Sequence, residues 1–348
     1  MSHFKSNLRD IFFNVFEVNR VQDYLGESPF GGIDEATAGD ILREVDRLSR
    51  EEFAESFVEG DRNPPVHDED GVHLTEGIKK SLDAYHEGQW HLFPLPQDLG
   101  GYGPPATLRW GVTELLTGSN PAAYLTLSGS LMAAVIAEEG TEEQKATWSR
   151  RMIDEVWGGT MVLTEPDAGS DVGVGTTKAT QVEGDTYHIE GVKRFITSGD
   201  NDYFENIIHL VLARSEGAGP GTKGLSMFIV PKFLLNDDGS LGERNGVDAT
   251  AIEDKMGIKS SVTCEMTFGL HRPAVGYLVG GVHDGIRQMF RVIEEARMMI
   301  GAKSMSTLST GYLNALEFAK QRVQGADLTQ MSDKAAPRVT IKIGRAHV

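Results

Sequence analysis

The stretch with the clearest chemical potential is Met161-Val-Leu-Thr-Glu-Pro-Asp-Ala-Gly-Ser-Asp171. Its apolar start reads as a strand running into a turn that gathers Thr164, Gly169 and Ser170. Hydroxyls and unhindered backbone N–H groups so grouped suit a ring carbonyl, a ribityl chain or a pyrophosphate. An ordinary Pro-Asp turn joining two strands would carry the same residues.

Other tempting patterns fail on spacing. Gly217-Ala-Gly-Pro-Gly-Thr-Lys-Gly224 resembles a phosphate loop, but Lys223 precedes a glycine where Ser or Thr is needed, so it reads as a hairpin turn. Gly173-Val-Gly175 lacks the third glycine and the strand–helix setting of a dinucleotide fingerprint. His86 and His91 are five apart and miss the i, i+4 facing of a zinc pair, and Asp68-Glu-Asp-Gly71 lacks calcium-loop spacing. No metal site is expected.

The elements that must position the turn fall into three textures. Residues 1–157 read as a helical domain, with Ile41, Leu42, Val45, Leu48, Phe53 and Phe57 along one face. Ser49-Arg-Glu-Glu52 and Thr141-Glu-Glu-Gln144 both have capping-box spacing, and Asn120-Pro121 opens an apolar helix through Ala137. Residues 158–280 offer short β-rich runs: Thr160–Thr164, Thr186–Ile189, Ile207–Ala213, Leu225–Val230 and Val262–Phe268. Without helices between them they predict an antiparallel barrel or sandwich. Residues 281–342 turn helical again from about Asp284 to Gln324, apolar on most sides. Met289, Phe290, Met298 and Met299, if exposed there, predict association.

Composition narrows the partners. The 348 residues carry 33 Lys and Arg against 51 Asp and Glu, a net charge of −18, which disfavours nucleic acid and anionic membrane surfaces. Cys264 is the sole cysteine, which excludes an internal disulfide and a cysteine zinc site and suits a cytoplasmic protein. The longest fully apolar run, Leu131–Ala137, is too short to span a membrane.

Taken together the motifs resemble the acyl-CoA dehydrogenase flavoprotein family along nearly the whole chain. Thr164 to Asp171 resembles its first flavin signature and Gly191-Val-Lys-Arg-Phe-Ile-Thr-Ser198 its second. Leu99-Gly-Gly-Tyr-Gly103, Gly140-Thr-Glu-Glu-Gln144, Lys255-Met-Gly-Ile-Lys-Ser-Ser261 and Glu294-Glu-Ala-Arg297 look like further landmarks in order. Ser2-His-Phe-Lys-Ser-Asn7 and Pro273-Ala-Val-Gly-Tyr-Leu-Val-Gly280 resemble the long bacterial medium- and long-chain branch. The resemblance implies an α+β multidomain fold: a helical domain, a central antiparallel β-barrel, and the start of a C-terminal helical bundle. It implies FAD between barrel and bundle, in a homodimer or homotetramer, with an acyl-CoA substrate and electron-transfer flavoprotein or a similar acceptor. Met161, Leu163, Thr164, Gly169 and Ser170 would line the flavin, with Ser170 also meeting the acyl-CoA. Phe195, Ile196 and Thr197 would cover the flavin ring, Phe195 standing where tryptophan is common. Glu294 and Arg297 would meet the CoA arm, and Arg322 would reach the partner subunit's FAD.

The implied reaction is α,β-dehydrogenation of an acyl-CoA thioester in fatty acid β-oxidation. It needs a carboxylate base and hydrogen bonds to the thioester oxygen. Where a minority of the family carries that base, this chain has Ala296, and each residue turns a helix by about 100°, so Glu294 and Glu295 are expected to point elsewhere. No catalytic base is therefore read in this chain. Ile343-Gly-Arg-Ala-His-Val348 matches one frame of a widely used sequencing adapter, so native sequence is expected to end near Ile341 or Lys342, with 343–348 a non-native tail and the base beyond Val348. The alternatives are a non-catalytic flavin- or acyl-CoA-binding fragment, and an acyl-CoA oxidase or monooxygenase of the same fold.

Overall fold

A computed structural model describes residues 2–340, so Ile341, Lys342 and the 343–348 tail lie outside the described residues. The chain opens with helices α1 (Leu8–Phe12), α2 (Glu35–Leu48) and α3 (Ala54–Arg62), then a hairpin of β1 (Val66–Asp68) and β2 (Gly71–His73). That hairpin interrupts the expected all-helical run, and the acidic cluster at Asp68–Gly71 is its turn. Helices α4 (Glu76–Glu87), α5 (Ala106–Ser119), α6 (Pro121–Thr126), α7 (Gly129–Glu139), α8 (Glu142–Gln144) and α9 (Arg150–Asp154) follow.

Local chemistry accounts for most of these boundaries. Leu42, Val45, Leu48 and Phe53 are buried as their spacing requires. Ser49 starts no helix: its N–H already reaches the Val45 carbonyl, and α2 passes through a π-helical turn (Ser49–Phe53) into α3, leaving no orphan donor to cap. Thr141 and Gln144 do form a reciprocal capping box. Asn120 caps α6 by accepting from the Ala122 and Ala123 N–H groups. The apolar stretch Pro121–Glu139 is divided between α6 and α7 and is half buried inside the protein.

The central sheet comprises β3 (Gly158–Val162), β4 (Lys178–Glu183), β5 (Thr186–Thr197), β6 (Ile207–Ser215) and β7 (Leu225–Pro231), followed after a side hairpin of β8 (Phe233–Leu235) and β9 (Leu241–Arg244) by β10 (Val247–Ile252), β11 (Thr263–Phe268) and β12 (Ala274–Leu278). Strand β4 pairs with both β5 and β6, so β5, β12, β7, β6 and β4 close a barrel, with β11 and β10 beyond β5 and β3 beyond β6. Two pairings, β3 with β6 and β4 with β6, are parallel rather than antiparallel. The long excursion between β3 and β6 lets the chain return in the same direction. Strand β5 bends at Gly191 (φ +152°), where a Cβ would lie 2.9 Å from Thr177 Cα, so its first half serves the barrel and its second half pairs with β11.

Helix α10 (Gly285–Gln321) runs 37 residues from the barrel and packs along α5 and α7. Met289 and Val292 are buried against the barrel side, so Met289 does not belong to the expected exposed set, and Met299 is only half-exposed. Phe290 and Met298 are exposed, as are Ile300, Met305, Leu308, Tyr312 and Phe318 further along. The strands β13 (Val323–Ala326) and β14 (Arg338–Thr340) pair with each other beyond it.

Candidate functional site

The turn after β3 is built around a buried ion pair. Glu165 and Ala168 exchange backbone hydrogen bonds across Pro166-Asp167, and Asp171 accepts from the Gly173 N–H to start the next turn. The Pro-Asp turn reading is thus correct as geometry. Lys193 Nζ donates to Glu165 Oε1 at 2.9 Å and to the Leu163 carbonyl at 2.9 Å, while Thr176 and Thr177 donate backbone N–H groups to the same carboxylate. Burial would push the Glu165 carboxyl up, but the Lys193 ammonium and these hydrogen bonds hold it down, to about 2. Burial also draws Lys193 below the ordinary lysine range.

This pair fixes the motif from inside and leaves its outer face free. Gly169 and Ser170 are exposed and Thr164 half-buried. A Cβ on Gly169 would meet nothing closer than Thr164 Cγ2 at 3.5 Å, and its φ is not left-handed, so the chain itself does not require glycine there. A glycine the fold does not need is consistent with close approach of a ligand.

The second motif lies against the first. The Arg194 N–H donates to the Thr164 carbonyl at 2.8 Å. The β5–β11 register slips between Cys264 and Met266, so Arg194 and Phe195 together oppose Glu265 in a bulge. Phe195 has φ +63° and Ser198 +55°, both strained for side-chain-bearing residues. Phe195 is 56% exposed, an aromatic ring held outward beside the turn, with the Arg194 guanidinium over it at 5.2 Å and fixed by Glu253 at 2.8 Å. Ile196 differs from expectation: strand alternation turns its side chain into the core at 2% exposure, leaving only its backbone available to the outer face. Met161 and Leu163 also pack part of their side chains inward.

A cavity of about 380 Å³ lies between the helical region and α10. Trp90, Phe93, Trp110, Tyr124, Leu131 and Met299 supply apolar wall, and burial pushes the Tyr124 phenol up. Ser128, also in its lining, donates to the Gly159 carbonyl at 2.6 Å, so the cavity abuts the strand that feeds the turn. Glu294, Glu295 and Ala296 all line it, contrary to the expectation that the glutamates face away from Ala296; long side chains reach around the helix where its rotation alone would not take them. Arg109 Nη2 engages Glu295 Oε1 at 2.8 Å. Arg297 and Arg322 are exposed on α10 and at its C-cap, and no ion pair joins Glu294 to Arg297 among the described residues.

Sequence reading missed Lys193, Glu165, Arg109 and Tyr124. Lys193 had a signal: it falls in phase with buried Tyr187 and Ile189 along β5, an inward charge that needs a partner. Nothing in the sequence connects Arg109 to Glu295.

Residues 160–269 match the family model described as acyl-CoA dehydrogenase, middle domain. The chain is similar, at 57% identity over 98% of its length and 56% of the relative's, to broad-specificity linear acyl-CoA dehydrogenase FadE5 of Mycobacterium tuberculosis. It is 30% identical to a short-chain-specific acyl-CoA dehydrogenase of Clostridium acetobutylicum, over 81% of this chain and 69% of that one. The solved structure of butyryl-CoA dehydrogenase from Megasphaera elsdenii superposes with a TM-score of 0.65 at 25% identity, over 85% of this chain and 73% of that one. The chain spans about half the length, 56%, of the two leading curated relatives it matches.

Proposed function

The chain belongs to the acyl-CoA dehydrogenase family, and from that premise we propose that its protein performs FAD-dependent α,β-dehydrogenation of acyl-CoA thioesters to trans-2-enoyl-CoA in fatty acid β-oxidation. The observation that carries the proposal is the exposed, strained Phe195 bulge, hydrogen-bonded to the Thr164 turn beside a strand that borders an apolar cavity.

FAD held at this turn would supply the hydride acceptor for the substrate's β-hydrogen. Thr164 and Ser170 offer hydroxyls, and the turn from Leu163 to Ser170 offers backbone groups, for the ring and its phosphate arm. Gly169 permits close approach. Phe195 and Thr197, with the Ile196 backbone, cover the ring and exclude water. Arg322 is proposed to meet the partner subunit's FAD, in a homodimer or homotetramer.

The cavity takes the acyl chain, with Ser170, Glu294 and Arg297 toward the CoA arm. Proton abstraction from the α-carbon needs a desolvated carboxylate. Ala296 carries none, Glu295 is held by Arg109, and the other lining carboxylates, Glu294 and Glu138, are exposed to solvent rather than desolvated, so we place the base outside the described residues. The reading extends to a cytoplasmic location and an electron-transfer flavoprotein as acceptor. Titrating FAD into the purified chain tests the first half: a perturbed, saturable flavin spectrum supports the site, and a spectrum identical to free FAD contradicts it.

A further inference from the structure

Arg109 lines two spaces at once. One is the apolar cavity; the other is a neighbouring groove of about 400 Å³ that is more open to solvent. Pro94 and Pro96 also line both, so the two spaces share a wall whose one charged member is Arg109. The guanidinium is held in that wall by Glu295 at 2.8 Å and lies 4.9 Å over the Trp110 ring. Arg109 and Glu295 are 26% and 34% exposed, so their attraction is partly screened and can be broken at modest cost.

The groove's chemistry selects its occupant. Pro29, Pro94, Pro96 and Pro104 line it beside the polar Gln97, and Asp98 adds a negative charge. A diphosphate arm would find no basic residue there besides Arg109, whereas a hydrocarbon would find apolar rings along its length.

We propose that the Arg109–Glu295 pair is a gate between the two spaces: acyl tails that outgrow the cavity displace the guanidinium and continue into the proline-lined groove. The inference rests on the reading of the cavity as the acyl site. It assigns these two residues the setting of chain-length preference, because short tails leave the pair closed and long tails must open it.

The test is calorimetric binding of two unreactive thioethers, S-butyl-CoA and S-hexadecyl-CoA, to the purified 348-residue chain and its Arg109→Ala and Glu295→Gln variants. The ratio of sixteen-carbon to four-carbon affinity should rise about fivefold in Arg109→Ala, the worth of a partly exposed ion pair, and in the same direction in Glu295→Gln, which keeps the side-chain size and frees the guanidinium. A purely structural role would move both affinities in parallel, and an unchanged ratio in both variants overturns the gate. If S-butyl-CoA itself does not bind the unmodified chain, the acyl reading of the cavity falls, and the gate with it.

Discussion

Gly169 and Lys193 divide the motif's work between an outer and an inner face. Gly169→Val adds atoms where a Cβ meets only Thr164 Cγ2, at an ordinary contact distance of 3.5 Å, so the flavin-free variant should unfold at about the same temperature as the flavin-free parent. The substitution should abolish flavin binding, because the added methyls occupy the ligand's approach. Flavin content of the FAD-loaded proteins checks the loss of binding, and thermal unfolding of the flavin-free proteins checks the unchanged fold, since bound flavin itself raises the unfolding temperature. Lys193→Met does the opposite, stranding a buried carboxylate, and should cost about 3–5 kcal/mol in urea unfolding. The pH dependence has a definite sign. The Glu165 carboxyl is depressed from 4.5 to about 2 in the fold, so its contribution is present above about pH 4.5 and lost as the pH falls towards 2. Urea midpoints at pH 5 and pH 3 should therefore differ more in the parent than in Glu165→Gln.

Among the elements, α10 makes the boldest demand on its surroundings. Its first turns bury Met289 and Val292, while Met305, Leu308, Tyr312 and Phe318 stand exposed on the rest of its length. An apolar stripe of that kind promotes association, so replacing Leu308 and Phe318 with Lys should lower the weight-average mass seen in sedimentation velocity. An unchanged mass distribution would remove that assignment. The length of α10 was legible because its apolar residues recur without a break and no Pro or Gly pair interrupts them. The strands β4, β8, β9, β10 and β12 were not, since they are short, carry charges such as Lys178 and Glu183, or hold glycine as at Gly276. Ser49 misled because a capping signature states a preference of the backbone, and a π-helical turn had already satisfied the donors it would serve.

Across the whole molecule the candidate site depends on three regions distant in sequence. The turn at Thr164, the bulge at Phe195 and the α5–α10 cavity meet through the Arg194–Thr164 and Ser128–Gly159 hydrogen bonds. Both motifs proposed to hold flavin stood out as residue patterns, but the bulge that turns Phe195 outward and Ile196 inward depends on pairing with β11 and could not be read from β5 alone. The Arg109–Glu295 pair was equally hidden, since only packing brings α5 and α10 together. The proposed flavin face and acyl cavity adjoin in one site. The most direct test of that adjacency is anaerobic addition of an acyl-CoA to the FAD-loaded chain, followed by absorbance. A saturable shift of the flavin bands without bleaching is expected if the acyl chain reaches the flavin while Ala296 offers no base. A spectrum that does not respond would contradict the shared site. Bleaching would contradict the placing of the base outside the described residues and turn attention to Glu294 and Glu295.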